Sequence, residues 1–333
     1  MSSTKIVKRD EKEVDYTCFS VEERIWEHLG REMYSIDVEG NNGLSFTVEA
    51  SRGLDISNLS FLGFNIPYIA ENGIKAPEEF KYNNDFDKNM FFGMLTTCGL
   101  ENTGPQSADE EESIVSQHGS QNNERAYNVS YRCIDSKIQI TGQIASRRFA
   151  KHSFVTQRTI TFDNSDNTIE ICDQIVNNGE KDQLCLMYHI NFGRPFLNEN
   201  CIILIPFTKA TPKNRDAETR MDEMLYIGKA NADNPPLVYY LVLDASDDSM
   251  SLIYNPDLDI EVALEIDKKT LPKIDLWKNL RPERYVISFE PCNAFPYGRK
   301  NQILRHEAQF LEKGETKSFK LKLHFRRTNN EKT

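Results

Sequence analysis

No stretch of these 333 residues is long and apolar enough to cross a membrane as a helix, and residues 1–15, rich in Lys, Glu and Asp, lack the apolar core of a secretory signal. The chain is therefore expected in the cytoplasm. Its seven cysteines (Cys18, Cys98, Cys133, Cys172, Cys185, Cys201, Cys292) are odd in number and scattered, with no C-x-x-C pair, so they read as reduced thiols. Histidine occurs six times without HxH or HExxH spacing, and no metal is expected. Positive charge is scarce: 40 Lys and Arg against 51 Asp and Glu leave a net charge of -11. Arg147-Arg148 and Arg326-Arg327 are too short to form a basic field, which argues against nucleic acid or an anionic membrane surface as partner. Neither G-x-x-x-x-G-K-[ST] nor G-x-G-x-x-G occurs, and there is no low-complexity linker or fixed-period repeat.

The composition, 39% hydrophobic and 27% charged, is that of a folded globular chain. Short β-rich runs fill it: 43–49, 128–132, 137–144, 154–162, 168–176, 184–191, 202–206, 237–243, 250–254, 285–289 and 316–326. Turn-prone clusters such as Asp163-Asn164-Ser165-Asp166-Asn167 and Asn177-Asn178-Gly179-Glu180 separate them. Many strands at this spacing predict an all-β fold, a sandwich or barrel, with hairpins joining 154–162 to 168–176 and 237–243 to 250–254. Helix signals are few. Ser20 as N-cap with Glu22 and Glu23 in a first turn suggests a short helix over 21–33, and 216–225 is a second candidate. The expected organisation is an N-terminal extension, 1–43, packed on one β domain, 44–328.

Two apolar strands end in titratable groups. In Tyr285-Val286-Ile287-Ser288-Phe289-Glu290, alternation puts Ser288 and Glu290 on one face and Ile287 and Phe289 on the other. In 184–193, His189 and Asn191 lie opposite Leu186, Tyr188 and Ile190. A carboxylate held where water is scarce suits a general base near neutrality, and imidazole suits an acid there. The purely structural alternative pairs Glu290 with Arg299 or Arg281. Four further features bear on a site. The glycine-rich segment 91–105 offers Thr97 and Asn102, with Gln106 just beyond it. His118-Gly119 follows the acidic stretch 109–112. Arg52 and Asp55 can pair with each other or face a ligand. Trp277 is one of two tryptophans and can wall a sugar pocket or fill core.

In chain order, Ser51-Arg52-Gly53-Leu54-Asp55, Leu95-Thr96-Thr97-Cys98-Gly99-Leu100, His118-Gly119, Tyr188-His189-Ile190-Asn191-Phe192-Gly193 and Phe289-Glu290-Pro291 with Gly298-Arg299 resemble the aldose 1-epimerase, or galactose mutarotase-like, superfamily. They are most similar to its bacterial branch labelled a domain of unknown function. The resemblance implies a large antiparallel β-sandwich, the galactose mutarotase-like supersandwich, with a sugar pocket in one sheet. It implies cofactor-free interconversion of sugar anomers, with His189 as acid and Glu290 as base. A carboxylate and an imidazole flanking a space about one sugar ring wide would favour catalysis. Arg52, Asn102, His118, Asn191, Trp277 and Arg299 are the implied substrate contacts, and Asp222 or Asp275, with Glu223 as an alternative, the further sugar-binding acid. The expected partner is a monosaccharide or sugar acid, and a homodimer is compatible. A phosphorylated sugar would want two or three convergent Arg or Lys residues, and Arg52, Arg125, Arg194 and Arg299 sit near the motifs. The competing reading is a carbohydrate-binding or sensing module that uses the same pocket without turnover.

Overall fold

The computed structural model of the protein describes residues 19–77, 86–108, 114–148 and 152–328. The acidic stretch 109–112, Cys18 and residues 1–15 lie outside them. Period-two alternation builds the largest sheet. Lys137–Arg147 and Ser153–Asp163 alternate buried and water-facing residues along their length, and send Ile138, Ile140, Ile144, Phe154, Ile160 and Phe162 inward. The turn after Ser153–Asp163 is closed by Asp163, whose carboxylate accepts from the Ser165 N–H and hydroxyl. The next strand, Thr168–Asn177, pairs back as the predicted hairpin.

This eight-stranded sheet has the spatial order Ile202–Leu204, Ser251–Asn255, Ile260–Ile266, Thr316–Arg326, Thr168–Asn177, Ser153–Asp163, Lys137–Arg147, Tyr127–Ile134. A six-stranded sheet runs Phe207–Pro212, Leu237–Leu243, Lys273–Arg281, Arg284–Cys292, Cys185–Gly193, Thr96–Leu100. A five-stranded meander covers Phe19–His28, Arg31–Gly40, Leu44–Glu49, Asp55–Phe61 and Phe64–Asn65. Among the described residues the strands of these sheets pair antiparallel, the architecture of the large antiparallel β-sandwich expected. One continuous apolar core takes residues from all three sheets, with Phe46 edge-on to Phe162 where the meander meets the largest. All eleven strands expected from the sequence are present, within one to three residues at their ends.

Three expectations are corrected. Residues 21–33 form no helix: Phe19–His28 and Arg31–Gly40 are a β-hairpin of the meander. The apolar spacing that suggested a helix is also an alternation, and Leu29 and Gly30, at φ 50° and 74°, close a two-residue turn of the kind that hairpins prefer. Trp26 donates across the hairpin to Ser35 Oγ. The segment expected as an extension thus contributes, over its described residues, two strands to the sheet that Leu44–Glu49 joins. Next, Leu237–Leu243 and Ser251–Asn255 belong to different sheets. Both edges of the first are already taken, by Phe207–Pro212 and Lys273–Arg281. Finally, 216–225 is not one helix but a single turn, Arg215–Glu218, capped by Asn214 Oδ1, followed by the 3-10 turn Met221–Glu223.

Candidate active site

The six-stranded sheet has two unlike faces. Its inner face sends Tyr239, Leu241, Ile274, Leu276, Ile287, Phe289, Tyr188 and Ile190 into the core. Its outer face owes its chemistry to register. Thr211 pairs with Tyr240, Tyr240 with Asp275 and Asp275 with Glu290. The pairs Met187↔Cys292 and Ile190↔Phe289 put His189 opposite Glu290, and His189 pairs in turn with Thr96. One row across the sheet therefore reads Thr211, Tyr240, Asp275, Glu290, His189, Thr96. Two residues along, Val238, Trp277, Ser288 and Asn191 form a parallel row on the same face.

Where the rows meet, an imidazole and two carboxyl groups are crowded together out of water. His189 is 5% exposed, Glu290 2% and Asp275 4%. His189 Nδ1 lies 2.5 Å from Asn191 Oδ1, which also accepts from Ser288 Oγ at 2.6 Å. The Asn191 Nδ2 group is spent on the carbonyls of Gly93 and His189. Oδ1 is thus an acceptor, the network assigns a proton to Nδ1, and Nε2 is left to exchange one. Nε2 stands 2.9 Å from Glu290 Oε1. Glu290 Oε1 is nonetheless buried without a hydrogen bond among the described residues. Asp275 Oδ1 is in the same condition. Burial, then the charge of Glu290, pushes the Asp275 carboxyl well above the usual range, against a smaller downward pull from Lys213. Asp275 is held as a neutral acid beside Glu290.

Aromatic rings wall the site. Phe92 stacks on Trp277, centroids 5.6 Å apart at 15°, and both rings stand edge-on to His189 at 5.6 and 6.0 Å. Phe92 reaches this position from φ 67°, a left-handed conformation costly for a bulky residue, and its carbonyl accepts from the Thr96 hydroxyl. Val238, Tyr240, Met187, Cys98, Cys292 and Phe295 pack as a small apolar cluster on this outer face. Burial above all pushes the Cys98 and Cys292 thiols up, which keeps them protonated.

His118 completes the group, 6.3 Å from His189 between ring centres. Its loop hangs on Gly99 and Gly104: the Gly99 N–H donates to the His118 carbonyl at 2.8 Å, and the His118 N–H to the Gly104 carbonyl at 2.9 Å. The glycine-rich segment thereby finds its reason. A side chain on Gly99 (φ 127°) would strike the Cys185 carbonyl, and one on Gly119 (φ 69°) the Gly99 carbonyl. The close approach is to the protein's own backbone. The Gly104 N–H donates to His118 Nδ1 at 3.3 Å, leaving Nε2 as the donor. Burial, then His189 and Lys213, pushes the His118 imidazole down to about 3, so it stays neutral.

Of the residues singled out in the sequence, His189, Glu290, Asn191, Trp277, His118 and Asp275 are brought together. Three are not: Arg52, Asn102 and Arg299 are engaged elsewhere. Arg52 is fully buried and donates to the carbonyls of Asn122, Lys75 and Asn89, each at 2.8 Å. It clamps loops, while Asp55 turns inward to Arg158 and Thr97. Asn102 is fully buried and ties the carbonyls of Pro105 and Ser116 to the Arg299 N–H. Arg299 binds Asp182 at 2.5 Å, and it donates to the carbonyls of Glu101 and Gln183. These polar groups read as ligand contacts in the sequence because most of the groups that claim them lie far along the chain.

The partner offered for a structural Glu290 therefore fails on both counts. Arg299 is with Asp182, and Arg281 donates to the Asn234 carbonyl. No ring-wide gap separates His189 from Glu290 either: the two touch. The four arginines near the motifs do not converge, since Arg125 donates to Ser51 and Arg194 lies over Tyr285. Asp222 and Glu223 sit in the turn tied down by Tyr239 and Lys278, whose side chains leave the opposite face of the sheet. Phe92 was missed as a site residue because nothing in Phe91-Phe92-Gly93 marks which ring leaves the core. The Asp275 strand, Lys273–Arg281, was missed because it is polar on both faces. Its Ile274/Leu276 against Asp275/Trp277 alternation was the available signal. Among the described residues no group of three or more His, Cys, Asp or Glu is arranged to hold a metal, and no helix is long and apolar enough to cross a membrane.

A family model described as a domain of unknown function, DUF4432, matches residues 30–325. No curated protein matches the sequence. Among solved structures, a candidate aldose 1-epimerase from Klebsiella pneumoniae superposes with a TM-score of 0.86 at 21% identity, over 92% of this chain and 83% of its own. A galactose mutarotase-like protein from Clostridium acetobutylicum gives 0.68 at 15% identity, over 93% and 99%. A galactose 1-epimerase from Lactobacillus acidophilus gives 0.64 at 11%, over 93% and 99%. At these identities the likeness is one of fold.

Proposed function

Since the chain belongs to the DUF4432 family, within the galactose mutarotase-like fold, we propose that it is an aldose 1-epimerase-type isomerase that interconverts the anomers of a sugar by acid–base ring opening. The observation that carries this reading is the 2.9 Å approach of His189 Nε2 to Glu290 Oε1, with the far side of the imidazole fixed by Asn191. Anomer exchange needs a proton removed from the anomeric hydroxyl and another delivered to the ring oxygen. Both oxygens sit on one carbon, so the acid and base need only be close together, each with a free direction. The contact between them is compatible with that demand, as is the unsatisfied Glu290 oxygen.

In the proposed cycle Glu290 takes the O1 proton, the electrons of that bond form the C1 carbonyl, and the C1–O5 bond breaks as O5 takes the proton from His189 Nε2. Rotation about the C1–C2 bond and reclosure, with the transfers reversed, gives the other anomer and restores both groups. The closeness of Oε1 and Nε2 also lets a proton return directly between them. Trp277 and Phe92 offer a face to the sugar C–H groups, and the neutral Asp275 and His118 offer hydrogen-bond donors to its hydroxyls. The chemistry moves protons only and calls on no cofactor. Polarimetry or anomer-exchange NMR across a panel of aldoses and uronic acids tests it. Wild type is expected to speed equilibration of at least one, and Glu290→Gln and His189→Asn each to lower that rate by about a hundred-fold to ten-thousand-fold. No acceleration of any sugar would sink the proposal.

A further inference from the structure

The outer face of the six-stranded sheet carries a cation that neither the fold nor the proposed proton transfers use. Lys213 follows the edge strand Phe207–Pro212, and its N–H bonds the Val238 carbonyl at 3.0 Å, which continues the pairing of Pro212 with Tyr239. This register sets Lys213 in the row of Val238 and Trp277, on the face that bears Asp275, Glu290 and His189. Two strand spacings of about 4.8 Å leave its backbone about 10 Å from that of Trp277, much of which a lysine stem spans. The side chain is exposed, and among the described residues it has no ion-pair or side-chain hydrogen-bond partner. Lys273 on the same face is, by contrast, matched to Glu307 at 2.5 Å. Electrostatics agrees with the placement: after burial and their nearer neighbours, both His118 and Asp275 feel the charge of Lys213.

We infer that Lys213 receives an anionic substituent of the sugar, a carboxylate or a phosphate monoester on the end of the ring remote from C1. This rests on the proposed function, which fixes C1 over His189 and Glu290. A ring lying along the row toward Asp275 then turns its C5 substituent to the edge strand. The neighbourhood favours an anion there, because Asp275 is neutral and the charge of Glu290 is faced by His189. Lys209, four residues back on the same strand and also exposed without a partner, extends the positive edge. An exposed lysine on an edge strand also serves to deter strand-to-strand association. That role would make no distinction between sugars, and so it can be told apart.

The experiment compares an aldohexose, its uronic acid and its 6-phosphate by anomer-exchange NMR and by titration of Trp277 fluorescence, in wild type, Lys213→Gln, Lys213→Arg and Lys213→Glu. The ratio of kcat/KM for the anionic sugar to that for the neutral one is expected to fall by about ten-fold to hundred-fold in Lys213→Gln and further in Lys213→Glu, with Lys213→Arg recovering most of it. Which acid shows the fall distinguishes carboxylate from phosphate. Equal effects on charged and neutral sugars, or none on either, overturn the inference. The two readings separate cleanly. If no sugar is turned over, yet an anionic sugar binds with Lys213-dependent affinity, the isomerase proposal fails and the anion site stands. If neutral sugars are turned over and anionic ones gain nothing from Lys213, the reverse holds.

Discussion

Replacing Asp275 by asparagine tests the electrostatics of the site without disturbing its shape. Asparagine copies the neutral carboxyl in size and keeps a donor, so the variant differs from wild type only where Asp275 would ionise. The folded-state pKa is raised, by burial first and by Glu290 second, so between the unfolded value near 3.8 and the raised folded value the native state holds a proton that the unfolded chain has lost. Stability then falls as pH rises through that window, by about 1.4 kcal/mol per pH unit for one proton. A chain of 333 residues has an unfolding entropy of about 0.7 kcal/mol/K, from about 2.1 cal/mol/K per residue. The wild-type melting temperature should thus lose about 2 °C per pH unit relative to Asp275→Asn.

Paired thermal melts at intervals from pH 4.5 to 7.5 give the difference curve. Other buried acids, among them Asp55, which burial pushes up to about 6, are common to both proteins and largely cancel. Any hydrogen-bonding mismatch of the amide adds a pH-independent offset. A flat difference, or one in which wild type gains with rising pH, would refute the claim that Asp275 is held neutral. In the same samples Asp275→Asn should keep kcat/KM within about ten-fold, and Asp275→Leu should lose about ten-fold more, the worth of one hydrogen bond in a buried site.

Two further outcomes follow from the hydrogen-bond networks. Asn191→Leu removes the acceptor of His189 Nδ1–H, and should lower kcat by about a hundred-fold or more while shifting its pH profile. Imidazole NMR should then show a changed His189 tautomer, with His118 in both proteins showing no titration between pH 5 and 8. Arg158→Met should cost about 3–5 kcal/mol, read as a lower urea midpoint, because Asp55 and Asp173 would be left buried and facing each other uncompensated. A loss under 1 kcal/mol would mean that those carboxylates are protonated or hydrated without the arginine.

That buried cluster shows where sequence reading stops. Arg158 joins Asp173 on the neighbouring strand to Asp55 and Thr97, about a hundred and about sixty residues earlier, and Tyr188 adds its hydroxyl to Asp173. Each of these residues lies in a run whose alternation is plain, yet none announces its partners. The same limit explains Arg52, Asn102 and Arg299. Their motifs were recognisable and their chemistry was suited to a ligand, but backbone carbonyls and, for Arg299, the Asp182 carboxylate engage them. His189 and Glu290 do come together, each on a strand that is apolar on its other face.

Alternation and turn residues along the chain were enough to determine the β class, most of the strands, and which face of its strand each of His189, Asn191, Ser288 and Glu290 occupies. The reason is that a strand repeats every two residues whatever lies beside it. Register is another matter. That Thr211, Tyr240, Asp275, Glu290, His189 and Thr96 form one row is set by how six strands, drawn from more than half of the chain, slide against one another. A slip of one residue at any junction would send part of the row into the core. Only the packed sandwich decided that two carboxyls and an imidazole share one dry site, that Phe92 rather than Phe91 covers it, and that Lys213 faces the same way.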